Sequence, residues 1–265
     1  MAYVTIHGQT YTGVNAVDYV KNGVTNSVNE LVVNGSKIWE AESSLPAKNA
    51  LSDMSWSDIS TVCKAGLASE YWSVGDTKSI TINGVSYNVV LIGFDHDDVT
   101  DSTSYGRSKA GATFNLLEVT DTKYKMATDK DLCDNWTLST IRSSALQTIL
   151  SQLENDLRSV IVPVNKPYSI YNSSSVTYDT TSDSLFLLST PEVGGSDTTD
   201  GTEYSYFSTT TNRSKKRRDG SSADWWLRSL YGYNNGYTFR RVLAAGVLSS
   251  LVCTSSLPIS FAFCV

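Results

Sequence analysis

Apolar residues along this chain recur mostly at every second position, in short runs split by Gly, Asn, Ser and Thr. Residues 1–42 hold YVTIHGQTYTG and ELVVNGSKIWEA, the second with Asn34-Gly35 between two β-rich arms, a pair favoured by tight hairpin turns. A small β-rich appendage is predicted there, suited to attachment or oligomerisation. A linker is predicted over 43–54, where Pro, Ser and Ala collect. From 55 to 265 the pattern is that of one larger domain. WSDISTVCKAGLAS predicts a short helix, with Ser57 or Asp58 as its cap and Gly66 toward its end. KSITI and VSYNVVLIGF flank Asn83-Gly84 and predict a hairpin whose second strand is buried on both faces. GATFNLLEV adds a strand.

Between Asn135 and Val160 the period lengthens. Ile141, Leu146, Ile149, Leu150, Leu153 and Leu157 fall at helical spacing, which predicts one or two helices. SVIVPVNKPYSI and DSLFLLST return to strand, and YNSSSVTYDTTSD between them reads as a polar loop. GGSDTTDGTEYSYFSTTTNRSKKRRDGSS is long and aperiodic, and DWWLRS, TFRRV, AGVLSSLVC and SFAFCV close the chain as short strands. Strands, then helices, then many short strands on long loops make an α+β domain.

Composition narrows the function classes. A hydrophobic share of 40% supports a real core, and a net charge of −6 argues against nucleic acid as a partner, since phosphate affinity needs clustered cations. No apolar run is long enough to cross a bilayer, so no membrane insertion is expected. The N-terminus lacks the basic region and apolar stretch of a signal peptide, which predicts a protein made in the cytoplasm. Cys63, Cys133, Cys253 and Cys264 show no CxxC pairing and no His close by. Buried free thiols are expected, with no metal and no cofactor.

Catalytic chemistry finds little support. FDHDD, Phe94 to Asp98, places three carboxylates around His96, yet neighbours in a chain rarely converge on one ion, and a loop-pinning histidine is the reading adopted. His7 is the other histidine, and GxSxG, P-loop and GxGxxG signatures are absent. No catalytic residue is assigned. The basic run NRSKKRRDG reads as a solvated loop facing an acidic surface. DWWLRS, by contrast, reads as core. On a strand, Trp225 and Leu227 share one face and Trp226 and Arg228 the other, where Arg228 meets a carboxylate or a ring.

Taken together, DSLFLLSTPEV, DWWLRS and the terminal FAFCV, with IGFDHDD and SKAGATFNLLEV upstream, resemble the domain of variable proteins in diversity-generating retroelements and of phage tail proteins. The resemblance covers roughly residues 55–265. It implies a C-type-lectin-like fold, in the branch similar to formylglycine-generating enzymes. It also implies that WWLRS is a fixed strand before a variable region at about 230–257, rewritten by a reverse transcriptase at template adenines, usually in Asn codons. Such rewriting cannot yield Lys, Glu, Gln, Trp or Met, and none of these occurs between Leu230 and Leu257.

Carried over residue by residue, the variable ligand-binding positions are Tyr231, Tyr233, Asn234, Asn235, Tyr237, Thr238, Arg240, Arg241, Leu243, Ala244, Ala245, Val247, Leu248, Leu251 and Thr254. The scaffold is Trp225, Trp226, Leu227, Arg228, Phe239, Val242, Gly246, Phe261 and Phe263. The ending LPISFAFCV departs from the GVRPAFCV common in the family, so the turn at Pro258 to Ser260 sets an unsettled outer limit. Tyr, Asn, Ser and Gly suit an adaptable paratope, and the leucines are expected to stand exposed on it. The resemblance implies a non-enzymatic receptor-binding protein of the phage tail, in the virion. Its partners would be a host-cell surface protein or glycan and other tail proteins, and a homotrimer its assembly. Two alternatives stand beside it. One is a bacterial surface adhesin of the same fold. The other is an oxidase with Cys253 and Cys264 as redox thiols, against which stands Cys253's place inside the rewritten stretch.

Overall fold

The Asn83-Gly84 hairpin is the edge of the main sheet. Strand β1 (Thr77–Ile82) pairs with β2 (Val85–Phe94) in a register running from Thr77↔Val90 to Ile82↔Val85. Both turn residues have positive φ, +48° at Asn83 and +76° at Gly84, the geometry a two-residue turn needs to follow the twist of its strands. β2 then pairs with β3 (Ala112–Leu116), across a bulge between Leu91 and Gly93. The computed structural model describes residues 45–129, 133, 135–172, 175–196, 198–231 and 238–265, together with the backbone of six strands within 3–40.

Two compact units divide the chain, Met1–Pro46 and Ala47–Val265. In the first, the strands form three antiparallel hairpins: Tyr3–Ile6 with Gln9–Thr12, Val17–Lys21 with Val24–Val28, and Glu30–Val33 with Ser36–Glu40. The Asn34-Gly35 turn and His7 lie outside the described residues. The second unit begins inside the stretch expected to be a linker. Leu51 and Met54 are buried in its core, so burial of two apolar side chains ends the linker early.

Helix α1 (Trp56–Lys64) follows, and its cap corrects the sequence reading. The cap is Ser55. Its Oγ accepts from the Asp58 backbone N–H at 3.1 Å and donates to the Asp58 carboxylate at 2.7 Å, so Asp58 acts as the third-position partner of the cap. Trp56, Ile59, Val62 and Cys63 form the buried stripe. After α2 (Ala68–Tyr71) and α3 (Ser102–Tyr105), the predicted helical segment starts as a π-turn at Ile141–Ala145 and continues as α4 (Leu146–Gln152) and α5 (Asn155–Arg158). Ile141, Leu146, Ile149, Leu153 and Leu157 are buried.

Strand β4 (Val164–Asn172) pairs along its length with β5 (Ser175–Asp183), a strand that the sequence reading took for a loop. Val176 and Tyr178 alternate with polar residues along it but both stand exposed, so the backbone ladder rather than apolar burial holds this stretch. The short β6 (Phe186–Leu187) leads to β7 (Trp225–Leu230), β8 (Thr238–Val242), β9 (Leu248–Val252) and β10 (Phe261–Cys264). The main sheet has the order β6-β10-β3-β2-β1, so the last strand sits inside it, and β7-β8-β9 form a second sheet. Helices and mostly antiparallel strands make the class α+β. On the main sheet, Phe114 stacks on Phe263 at 5.5 Å and Trp56 meets Phe114 edge-on at 5.4 Å.

Candidate functional site

Every residue of β7 from Trp225 to Leu230 is buried. The Trp225 indole N–H donates to the Arg213 carbonyl at 3.0 Å and that of Trp226 to the Tyr124 carbonyl at 2.9 Å, so both rings lose their polar handle inside the fold. Arg228 has no exposure at all and spends its guanidinium entirely on the protein. It donates to both Glu192 carboxylate oxygens, at 2.5 and 2.9 Å, and to the carbonyls of Leu187 (2.7 Å), Pro167 (3.0 Å) and Asp200 (2.8 Å).

Glu192 also pairs with Lys166 at 2.5 Å, and Lys166 reaches Asp97 at 2.6 Å. Asp97 accepts further from Tyr204 and Thr113, each at 2.7 Å, and from the Cys264 thiol at 3.3 Å. Burial alone would push the Asp97 carboxyl up, yet Lys166 and the adjoining His96 hold it well below the usual range. In the same way burial works against the charge on Lys166, and Asp97 with Glu192 reverse it and raise the lysine. Alternating charges thus keep one another ionised although each side chain is buried. Tyr204 and Cys264, by contrast, are driven well above their ordinary values by burial and by Asp97, so neither supplies an anionic nucleophile.

The FDHDD segment contributes differently from residue to residue. His96 stacks on Tyr204 at 3.9 Å and meets the Thr202 hydroxyl at 3.0 Å, while its Nδ1 is 3.5 Å from Asp97. The Asp97 oxygens are already committed to Lys166, Tyr204 and Thr113, so the imidazole is pinned by stacking and by Thr202. Asp95 and Asp98 pair outward with Arg107 and Lys109, each at 2.8 Å. A cleft of about 310 Å³ opens here, bordered by His96, Lys109, Thr199 and Thr202. Among the described residues no group of His, Cys, Asp and Glu is placed to hold a metal.

Beyond this frame lies the region assigned to ligand binding. Thr238, Arg240, Arg241, Leu243, Ala244 and Thr254 are half-buried, Ala245 is exposed, and Tyr231 and Val247 are the most open large side chains at 44% and 57%. Phe239, Val242, Gly246, Phe261 and Phe263 are buried. Tyr233, Asn234, Asn235 and Tyr237 lie outside the described residues. The leucines correct an expectation: Leu248 and Leu251 pack against the core, and Val252 is the apolar residue that stands out beside them. Arg240 lies over the Tyr231 ring at 3.9 Å. Arg241 and the Ala244 backbone N–H both bind Asp224, each at 2.9 Å, which ties the outer turn to the residue just before the tryptophans.

Two further corrections concern this region. Cys253, at the end of β9, forms a disulfide with Cys133 across 120 residues, so only Cys63 and Cys264 are the buried free thiols expected. The pairing joins positions far apart in the chain, which no local spacing reveals, and it bonds Cys253 to Cys133 while Cys264 stays a free thiol. In the basic run, Lys215 is buried rather than solvated. Its ammonium donates to the Leu116 carbonyl at 2.5 Å and lies 5.4 Å from the Trp225 ring centre. Burial pulls it down to about 7, with only Glu118 acting to raise it.

A family model described as a domain of unknown function, DUF6273, matches residues 121–265. The chain belongs to that family. The DUF6273 segment contains Lys166, Glu192, Asp200, Tyr204, Arg228 and Cys264, and Asp97 reaches the network from outside it. No curated protein and no solved structure matches the chain. Sequence reasoning found Arg228 and the need for a carboxylate but missed Lys166, Glu192 and Tyr204. The available signal was a charge set among apolar residues, as Glu192 is in LFLLSTPEV and Lys166 in IVPVNKPYSI.

Proposed function

We propose that this protein is a non-enzymatic receptor-binding protein of a phage tail, whose C-type-lectin-like domain presents a retroelement-diversified face to a host-cell surface ligand. One observation carries the reading. A strand whose six residues are all buried is followed by a segment whose described residues, apart from Phe239, Val242, Gly246 and Cys253, stand half-buried or exposed, and in which Lys, Glu, Gln, Trp and Met are missing between Leu230 and Leu257. A frame that folds without the face allows the face to change. The last strand lies inside the antiparallel sheet and β7-β8-β9 form a second sheet, an arrangement compatible with a lectin-like fold. The proposed partners are a surface protein or glycan and other tail proteins. A virion location and a homotrimer built with the help of the 1–42 appendage complete the proposal.

Sequencing this locus and its flanking DNA across several isolates tests it. Substitutions should concentrate between Tyr231 and Thr254 at the positions named above and spare Trp225–Arg228 and Phe261–Cys264. A reverse transcriptase and a near-copy of the variable coding segment should lie nearby. Substitutions spread evenly over the domain, with no such neighbour, would remove diversification from the account.

A further inference from the structure

We infer that the cavity between α1 and the segment after α5 binds a small molecule with an apolar body and one carboxylate, held by Ser60 and Lys64. The inference goes beyond the proposed display function, and none of the lining residues lies between 230 and 257. The cavity encloses about 430 Å³, within the ~300–1,000 Å³ usual for small-ligand sites. Helices α1 and α3 form one wall and residues 159–163 the other. Val99, Tyr105, Ile161 and Val162 supply apolar lining. Ile161 and Val162 pack against the core yet are only half-buried, so part of each side chain stays open to whatever fills the space.

Most polar groups around the cavity are already spent. The Asp101 carboxylate caps α3, accepting from the Ser104 backbone N–H at 3.1 Å and from its hydroxyl at 2.6 Å, and makes no ion pair with Lys64. The Ser159 hydroxyl donates to the Asp156 carbonyl at 2.8 Å. Thr100 donates to the Asn165 side chain at 3.2 Å and shares a hydrogen bond with Ser182 at 2.9 Å. The Tyr105 hydroxyl accepts from the Gly111 backbone N–H at 3.1 Å.

Two groups are left over, and both stand on α1. Ser60 is 5% exposed, and its hydroxyl bonds to no described residue. A buried hydroxyl left unmet is costly, and an arriving acceptor offsets that cost. The Lys64 ammonium lies 5.9 Å from the centre of the Tyr105 ring and forms no ion pair with a described residue. The helix end does not need it, because the carbonyls of Thr61, Val62 and Cys63 accept from the backbone N–H groups of Ala65, Leu67 and Gly66, and Cys63 accepts from Arg107 as well. Positions 60 and 64 are one turn apart on the same helix face, with ~5–6 Å between Cβ atoms. One carboxylate can therefore take the hydroxyl at one oxygen and the ammonium at the other. The unspent charge at the cavity is positive and the wall facing it is apolar, which selects an anion carrying a hydrocarbon body.

NMR titration of the full chain with 4-phenylbutyrate and with 4-phenylbutan-1-ol, which carries CH2OH in place of the carboxylate, tests this. The acid should shift resonances of 60–64, 99–105 and 159–163 and bind about tenfold tighter than the alcohol, the worth of one charge-assisted contact. Lys64→Gln, at an exposed position that leaves the fold alone, should bring the two to equal affinity. Ser60→Ala should weaken the acid several-fold without lowering the urea midpoint, since the hydroxyl it removes has no partner in the fold. No shifts with the acid, shifts centred on other residues, equal affinity for acid and alcohol in the parent, or a preference that survives Lys64→Gln would overturn the site. A lower urea midpoint for Ser60→Ala would overturn the role given to its hydroxyl.

Discussion

Strand β7 and the β8–β9 pair are hydrogen-bonded neighbours in one sheet, yet they are built on opposite terms. β7 shows water nothing, and its Arg228 makes five hydrogen bonds to Glu192 and to three carbonyls. On β8 and β9, of the ten residues only Phe239 and Val242 are buried, and the rest are half-buried or exposed. The ladder between β8 and β9 runs unbroken from Thr238↔Val252 to Val242↔Leu248, while that between β7 and β8 shifts register after Trp226. Main-chain pairing thus carries the face, and side-chain chemistry carries the frame. A surface held by backbone bonds tolerates side-chain change, because those bonds do not depend on which side chain is present. A frame held by charges buried in a chain of partners tolerates almost none.

The sharpest way to break this contrast is to cut the network. Arg228→Met takes the two-pronged partner from the buried Glu192 carboxylate, leaving it Lys166, and removes a donor from three buried carbonyls, so the variant should lose about 3–5 kcal/mol in urea denaturation, or fail to accumulate folded. Arg228→Lys should recover little, because an ammonium cannot reproduce the two-pronged contact with Glu192. A loss under 1 kcal/mol would mean that the frame does not depend on its charges.

Lys215 offers a second, opposite test, since it is a frame cation with backbone partners in place of a carboxylate. Burial holds its pKa down to about 7 in the folded chain, against 10.5 for an ordinary lysine. Between those pH values the unfolded chain binds a proton that the folded one does not, so stability rises with pH across that window, and the group costs stability fully below it. The rise should be about 1 kcal/mol from pH 7 to 8, before the buried thiols of Cys63 and Cys264 and then the tyrosines act the other way. Urea midpoints at several pH values should show this slope in the parent and its loss in Lys215→Met. A parent that is flat over the window would place the ammonium in contact with water.

How much of this was open to sequence reading follows from the same contrast. The Asn83-Gly84 hairpin, the helical stripe from Ile141 to Leu157 and the buried tryptophan strand were legible because each is fixed by local chemistry: a turn dipeptide, a period, a dense apolar run. β5 was not, because its alternating Val176 and Tyr178 stand exposed among Ser, Thr and Asp, a loop-like composition, and pairing with β4 makes it a strand. Lys166 and Asp97 are 69 residues apart, and Cys133 and Cys253 are 120 apart. Such partners are chosen by topology, and no spacing rule connects them. Lys215 was misread because SKKRR reads as one charged run, although the short strand Lys215–Lys216 turns its first lysine alone inward, toward Trp225.

The smallest expected effects lie on the face, and they complete the comparison from the other side. Tyr231, Val247 and Val252 are the exposed large residues there, and none fills a core position. Single changes Val247→Thr and Val252→Ser should each move stability by less than about 0.5 kcal/mol, the range of surface substitutions away from special features, and Tyr231→Ser, which removes the ring under Arg240, by about 0.5–1 kcal/mol. Phe239→Ser, one position along the same strand β8, should cost about 3 kcal/mol or more, since it removes a fully buried ring and leaves a hydroxyl in its place. The expected result is a step between adjacent residues rather than a gradient along the strand. Measured in one urea series, a graded loss across Thr238, Phe239 and Arg240 would mean that frame and face share their packing. A step would mean that the boundary between what folds the domain and what it displays runs through single strands, alternating residue by residue.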